Sequence, residues 1–305
     1  EEEPDSLSMM RTGNYLISNL TISNIDFVDA QTVDLTFSAN LNPSTIYTLI
    51  TQNIEDCLGN LGRDTATFAQ GARAAKYDLI ITEIMADPDP QVGQPKDVEY
   101  LEIFNRSSKL INLSTVLLSD GTSTKSLPDE VISAGEYLIL TTTSKADSFP
   151  NNRALGMVGF PSLANTGEQL ILRDSAGEFV FSVDYSDSWY GDADKKNGGY
   201  SLEIIDPNNF CGEADNWKAS QDPSGGTPAA QNSVFASNLD TQNPNLDFIE
   251  LLDNQRLKVV YSEIMDSTSL VNLVNYTIAG LSIASIEFVN FKEVILHFQS
   301  SIDES

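Results

Sequence analysis

The sequence holds one histidine, His297, among 305 residues. Ser-His-Asp triads, Cys-His pairs and histidine-rich metal sites all need an imidazole in a cleft. His297 instead lies in the alternating run Glu293-Val-Ile-Leu-His-Phe298, where it reads as a strand-face residue. Cysteine is nearly as scarce. Cys57 and Cys211 are too few for a disulfide scaffold, and their spacing fits no zinc motif. An even pair permits one Cys57–Cys211 bridge in a secreted chain, with two buried thiols as the alternative. Basic residues are few: 17 Lys and Arg stand against 44 Asp and Glu, a net charge of −27. Such a surface repels phosphate backbones and anionic lipid, which argues against nucleic acid and membranes as partners. No apolar run reaches the length that spans a bilayer. Phosphate-binding glycine loops are also missing, because Gly198-Gly199 and Gly225-Gly226 lead into strand or loop residues rather than a lysine-led helix.

What is present is strand. From Tyr77 to Ser233, short runs of aliphatic and β-branched residues alternate with turn signals. Asp120-Gly121 and Asp174-Ser-Ala-Gly177 supply the positive φ of tight reversals. No window of helical length in this stretch keeps an apolar stripe at helical spacing. The spacing predicts an all-β chain of immunoglobulin-like β-sandwiches.

A repeat brackets this stretch. Glu2–Ser44 aligns without gaps on Glu263–Ser305, at an offset of 261. Tyr15, Ile25, Phe27, Val33, Leu35 and Phe37 recur as Tyr276, Ile286, Phe288, Val294, Leu296 and Phe298. Shared positions are mostly apolar, so the repeated object is a core rather than a surface site. The second copy is preceded by Phe248-Ile-Glu-Leu-Leu252 and Gln255–Ser262, which read as its first strands. The first copy continues into Ile46–Asn60 instead. Three units follow: 1–72, a module without its first strands; 77–233, a central domain; and 246–305, the N-terminal part of a second module. Ala66–Lys76 and Asn232–Asn245 read as hinges between them. A module without an edge strand exposes backbone groups, so residues 247–262 are expected to supply strands to the first module, within the chain or between chains.

The order of runs in 77–233 also carries a resemblance. Ile81-Thr-Glu-Ile-Met-Ala-Asp-Pro88, Val98-Glu-Tyr-Leu-Glu-Ile-Phe-Asn105, Gly135-Glu-Tyr-Leu-Ile-Leu140, Asn165–Gly177, Gly199-Tyr-Ser-Leu-Glu-Ile204, Asn216-Trp217 and Gly225-Gly-Thr-Pro228 together resemble the lamin tail domain of bacterial secreted and surface proteins. The stretch around Leu41–Asn60 is similar to bacterial Ig-like domains of surface proteins. These resemblances imply a sandwich without catalysis, in a secreted or cell-surface bacterial protein that meets protein or polysaccharide partners. The chain opens Glu-Glu-Glu-Pro-Asp, without a signal peptide in these residues, and reads as a processed or cut end. Lamin tails beside chromatin suggest DNA, but the net charge of −27 argues against carrying that over.

Two groups of residues are candidate sites. Asp87 and Asp89 form one acidic cluster; Asp192, Asp194 and Glu203 form another, with the oxygen-rich character that calcium needs. The second falls one glycine position away from an EF-hand loop, and Lys195 and Lys196 intrude, so solvated turns are the competing reading. Trp189 and Tyr190 lie beside acidic residues, where exposed rings can stack on sugars or anchor a protein. Trp217 is expected in the core. Glu99 and Glu102 stand three apart on a strand and face opposite sides, which argues against a glycosidase pair. The leading expectation is a non-catalytic structural and interaction protein. The alternatives are a calcium-dependent carbohydrate-binding module, or the accessory region of a larger secreted hydrolase.

Overall fold

A computed structural model describes residues 4–43, 45–149 and 153–301. The outer positions of the repeat (Glu2, Glu3, Ser44 and residues 302–305) lie outside the described residues.

The first unit holds β1 (Tyr15–Ile17), β2 (Ile22–Asp29), β3 (Thr32–Phe37), β4 (Ile46–Glu55) and β5 (Leu61–Ala69). They form a β1-β4-β5 sheet and a separate β2-β3 hairpin. The central unit runs through β6 (Leu79–Met85), β7 (Tyr100–Asn105), β8 (Ile111–Asn112), β9 (Val116–Ser119), β10 (Thr124–Ser126), β11 (Val131–Ile132), β12 (Tyr137–Thr142), β13 (Ala154–Met157), β14 (Gly167–Asp174), β15 (Phe179–Ser186), β16 (Leu202–Ile204) and β17 (Trp217–Ala219). Its larger sheet has the order β13-β12-β7-β6-β16-β17, and a second sheet the order β10-β9-β14-β15. Apolar side chains of both sheets meet in one core, from Ile80, Leu101 and Ile103 to Leu170, Leu172 and Phe181. β6 and β7 are buried on both faces because each face is covered. The third unit is a single sheet, β18 (Leu246–Asp253), β19 (Arg256–Tyr261), β21 (Glu293–Phe298) and β20 (Ile283–Asn290), in that order. The chain is thus nearly all β. No helix among the described residues is long and apolar enough to cross a membrane.

The sequence repeat is also a structural repeat. Two one-turn helices, α1 (Ser6–Met9) and α2 (Ser267–Leu270), sit at equivalent positions and are capped alike by Asp5 and Asp266. Asn14 and Asn275 donate to the carbonyls of Ser8 and Ser269, and the hydroxyls of Tyr15 and Tyr276 donate to those of Met9 and Leu270. The recurring Asn-Tyr pair therefore ties the helix to the sheet. β2–β3 and β20–β21 share one register, including both bulges. In the third unit, however, β19 pairs with β21 of its own module. Supply of residues 247–262 to the first unit within the chain is overturned, because β21 presents the same edge closer in sequence.

The segments read as hinges are also tied down. Residues 66–69 continue β5, and the amide and carbonyl of Ala72 bond to Leu110 and Asn112 of the central unit. Beyond Asn232, Ala236 and Asn238 donate backbone amides to Ile205 and Asp206.

The turn between β20 and β21 carries the docking of the third unit. Where the first copy has Ala30-Gln31, the second has Phe291-Lys292. The Phe291 ring lies 4.5 Å from that of Phe179, Lys292 pairs with Glu213 at 2.5 Å, and Lys76 pairs with Asp266. Phe291→Ala is expected to remove about 3 kcal/mol of docking contacts. Cleavage in the exposed 239–245 segment should then accelerate under limited proteolysis, while the central unit melts unchanged. An unaltered cleavage rate would show that the ring does not hold the unit.

Candidate functional site

A dense polar cluster lies inside the molecule. β6, β7 and β16 are neighbours in the larger sheet, and each carries a glutamate: Glu83, Glu102 and Glu203. Glu83 stands directly opposite both Glu102 and Glu203 in the strand register. A bulge at Thr82 sets that alignment, because it inserts one residue between Ile81 and Glu83. All three side chains are fully buried.

Burying three carboxylates is costly unless donors meet them. Here the donors come from a late segment, Gly225–Val234, that straps across the three strands. Thr227 N donates to Glu83 Oε1 at 2.9 Å, Ala229 N to Glu102 Oε2 at 2.7 Å, and Val234 N to Glu203 Oε2 at 3.2 Å. Hydroxyls add to this. Tyr100 and Ser201 donate to Glu83 Oε1, each at 2.6 Å, Thr82 donates to Glu102, and Thr227 and Ser233 donate to Glu203. Asn232 Nδ2 clamps the strap to the sheet through the carbonyls of Thr82 and Ile204, at 2.8 and 2.9 Å. The strap approaches so closely that a Cβ on Gly226 would lie 2.5 Å from both Glu83 Oε1 and the Tyr100 hydroxyl. Glycine is required at that close approach.

Glu83 Oε2 is buried without a hydrogen-bond partner. Burial pushes the Glu83 carboxyl up to about 7, with the neighbouring Glu203 charge adding to it. Burial, then the charge of Glu83, holds Glu102 well above the ordinary carboxylate range. The cluster can hold protons and accept hydrogen bonds. Its carboxylates touch no solvent, so as placed they fasten the strap rather than meet a substrate.

The expected site residues lie elsewhere, apart from Glu203. The Asp87–Pro90 loop and the Gly198-Gly199 turn do pack together, through the Gly199 amide on the Asp87 carbonyl at 2.8 Å. Asp89, Asp192 and Asp194 are exposed. The Asp192 carboxylate is used within its own turn, on the amides of Asp194 and Lys195, and Lys196 pairs with Asp187. Glu203 belongs to the strap and shares no site with Asp192 and Asp194. Among the described residues, no three acidic, histidine or cysteine side chains converge as a metal site. The expected calcium set does not converge: Asp87, Asp192 and Glu203 each accept a backbone amide of a different turn or strap, and Asp89 and Asp194 are exposed.

The aromatic expectation divides. Tyr190 is buried, with its hydroxyl on the Tyr200 carbonyl, so it is no surface contact. Trp189 is half-buried against Trp217, at 6.3 Å between rings, and Trp217 is in the core. The Cys57–Cys211 bridge is corrected as well. Both thiols are free; Cys57 is exposed beyond β4, and Cys211 lies 3.9 Å from the Tyr77 hydroxyl. Glu99 and Glu102 do face apart, Glu99 accepting from Leu163 N outside the cluster. His297 meets Glu287 on the exposed face of β21.

Residues 72–187 match the family model described as Lamin Tail Domain. Glu83 and Glu102 fall within that match; Glu203 and the strap lie beyond it. Among solved structures the chain is similar to a DUF4876 family protein from Bacteroides thetaiotaomicron VPI-5482, at 11% identity over 63% of this chain and 83% of that one, with a TM-score of 0.26. It is also similar to domains 1–6 of the surface layer protein SbsC, at 10% identity over 99% of this chain and 48% of that one, with a TM-score of 0.20. No curated protein matches. The middle of this chain, residues 72–187, thus matches the lamin tail domain family.

Proposed function

We propose that this chain is a non-catalytic structural and interaction segment of a secreted or cell-surface bacterial protein, in which the lamin tail domain is a spacer between β-modules of one repeat family. The observation that carries this reading is the way the chain enters and leaves the central unit. It enters through β6 and leaves through the strap, and Asn232 joins the strap to the Thr82 carbonyl of β6. Tension applied at the two ends of the unit therefore meets first the bonds of Ala72 to Leu110 and Asn112 and of Ala236 and Asn238 to Ile205 and Asp206, and then the Asn232 clamp. The lamin tail match, the all-β architecture and the sealed polar cluster support the absence of chemistry. The charge of −27 supports a partner other than nucleic acid or anionic lipid. Protein and polysaccharide partners both remain compatible with this surface.

The test is mechanical. Pulled from its two ends in an optical trap, the chain is expected to release the central unit in one step of roughly 500 Å, the extended length of its residues at ~3.5 Å each. Peeling in many small steps at low force would overturn the spacer reading.

A further inference from the structure

The two copies of the repeat differ in what lies against their last shared strand. In the third unit, β19 pairs with β21, with Leu257 opposite Leu296, Lys258 opposite Ile295 and Val259 opposite Val294. In the first unit, β3 is the equivalent of β21, and among the described residues it pairs with β2 alone. Burial follows the difference. Val294 and Leu296 are 0% and 1% exposed, whereas their counterparts Val33 and Leu35 remain only half-buried. Both line a cleft of about 730 Å³, with Tyr15, Leu49 and Ile54 on its other walls. Identical apolar residues on one backbone framework are sealed in one copy and open in the other.

We propose that the β3 edge and this cleft form a docking seat for a second β-hairpin of the Leu246–Tyr261 type, with a lysine at the position of Lys258. The resident hairpin is taken up by β21, but it shows what fits. Placed on β3 in the register it uses on β21, Val259 falls opposite Val33 and Leu257 opposite Leu35. Tyr261 meets the hydroxyl of Tyr276 at 3.2 Å in the third unit, and Tyr15 stands in the equivalent place. Charge points the same way. Asp34 faces Asp26 directly across the β2–β3 pair, both exposed, and like charges so placed repel. The lysine of the hairpin, Lys258, falls opposite Asp34 in this register and relieves the repulsion. Addition of a strand at an open edge supplies backbone hydrogen bonds, while alternate side chains filling the cleft supply selectivity.

A labelled peptide of residues 245–262, cyclised through its ends, titrated onto the full chain tests this. The expected result is saturable one-to-one binding, with slowed hydrogen exchange at the β3 amides. Asp34→Lys should weaken it at least tenfold, and a peptide carrying Lys258→Glu should restore binding to that variant. Fusing the same hairpin ahead of residue 1 through a flexible linker covers a peptide that does not fold alone; it should protect β3 and close the cleft. No binding and no protection in either format would overturn the proposal. So would equal affinity for Asp34→Lys, or protection lost from β21 as the added hairpin displaces the resident one. A dimer with β3 already protected before peptide is added would assign the seat to a second copy and overturn it too. None of these readouts involves the central unit, so failure here leaves the mechanical test of the spacer untouched.

Discussion

Replacing Glu83 by glutamine is expected to raise the melting temperature of the central unit at pH 8 and to leave it nearly unchanged at pH 5. The sign follows from linkage. Burial lifts the Glu83 carboxyl from 4.5 to about 7 in the folded chain. Below pH 4.5 both states hold the proton and no penalty exists. As pH rises, the unfolded chain releases the proton first and gains stability relative to the fold. Above pH 7 both states are ionised, and the full penalty stays. The lost stability is on the order of 3 kcal/mol, at ~1.4 kcal/mol per pH unit between the two values. For a unit of this size that is roughly 5–10 °C. Glutamine keeps an acceptor at the Oε1 position for Tyr100, Ser201 and Thr227, and removes the charge that raises Glu102. Carboxylates held below their usual range act oppositely, Asp222 through the Ser224 hydroxyl and amide and Asp120 through the amides of its turn: their stabilisation is lost as pH falls through the acid range. A stability maximum near pH 5 therefore belongs to the natural chain, and a plateau toward neutral pH to the variant. Calorimetry of both proteins from pH 4 to 8 measures it. Equal slopes would show that Glu83 carries no buried charge penalty.

This cluster also marks where the sequence could be read and where it could not. Alternation and turn chemistry identify strands readily, because apolar period and positive-φ turns are local properties. The lamin tail domain was legible for the same reason, as an ordered series of such runs. Three of those runs share a small phrase, Thr82-Glu83-Ile84, Leu101-Glu102-Ile103 and Leu202-Glu203-Ile204, each a glutamate inside an apolar strand. That recurrence was the available signal for the glutamate row. Read strand by strand, each glutamate instead looks like the solvent side of an alternating pattern, and Glu203 like a cation ligand. What reverses the reading is the strap, whose amides lie from 31 to 144 residues away in sequence from the carboxylates they meet. No local pattern encodes such a partner. The strand exchange expected within the chain failed for a related reason. The repeat identified β3 and β21 as equivalent edges, but only the structure shows that the hairpin at 246–261 closes on the nearer one.

Asn232→Asp is expected to be among the most damaging single substitutions in the chain, and worse than Asn232→Ala. The residue is 7% exposed, and its Nδ2 donates to the carbonyls of Thr82 and Ile204, on β6 and β16. Alanine leaves two buried carbonyls without that donor, at about 2 kcal/mol. Aspartate is nearly isosteric, yet it turns the donor into an acceptor facing two acceptors. It also adds a charge to a strap already resting on three buried carboxylates. A buried unpaired charge costs about 3–5 kcal/mol, so the two substitutions should separate by at least 1 kcal/mol in urea denaturation at pH 7.5. The gap should close in acid, where the new carboxyl takes up a proton and becomes a donor again. Hydrogen exchange locates the damage: the amides of Thr227, Ala229 and Val234 should open together, because Asn232 is what holds the strap over Glu83, Glu102 and Glu203. If the aspartate variant matches the natural chain, or proves more stable than the alanine variant, the strap is held by its own backbone. The spacer would then lose the clamp through which its two ends share a load.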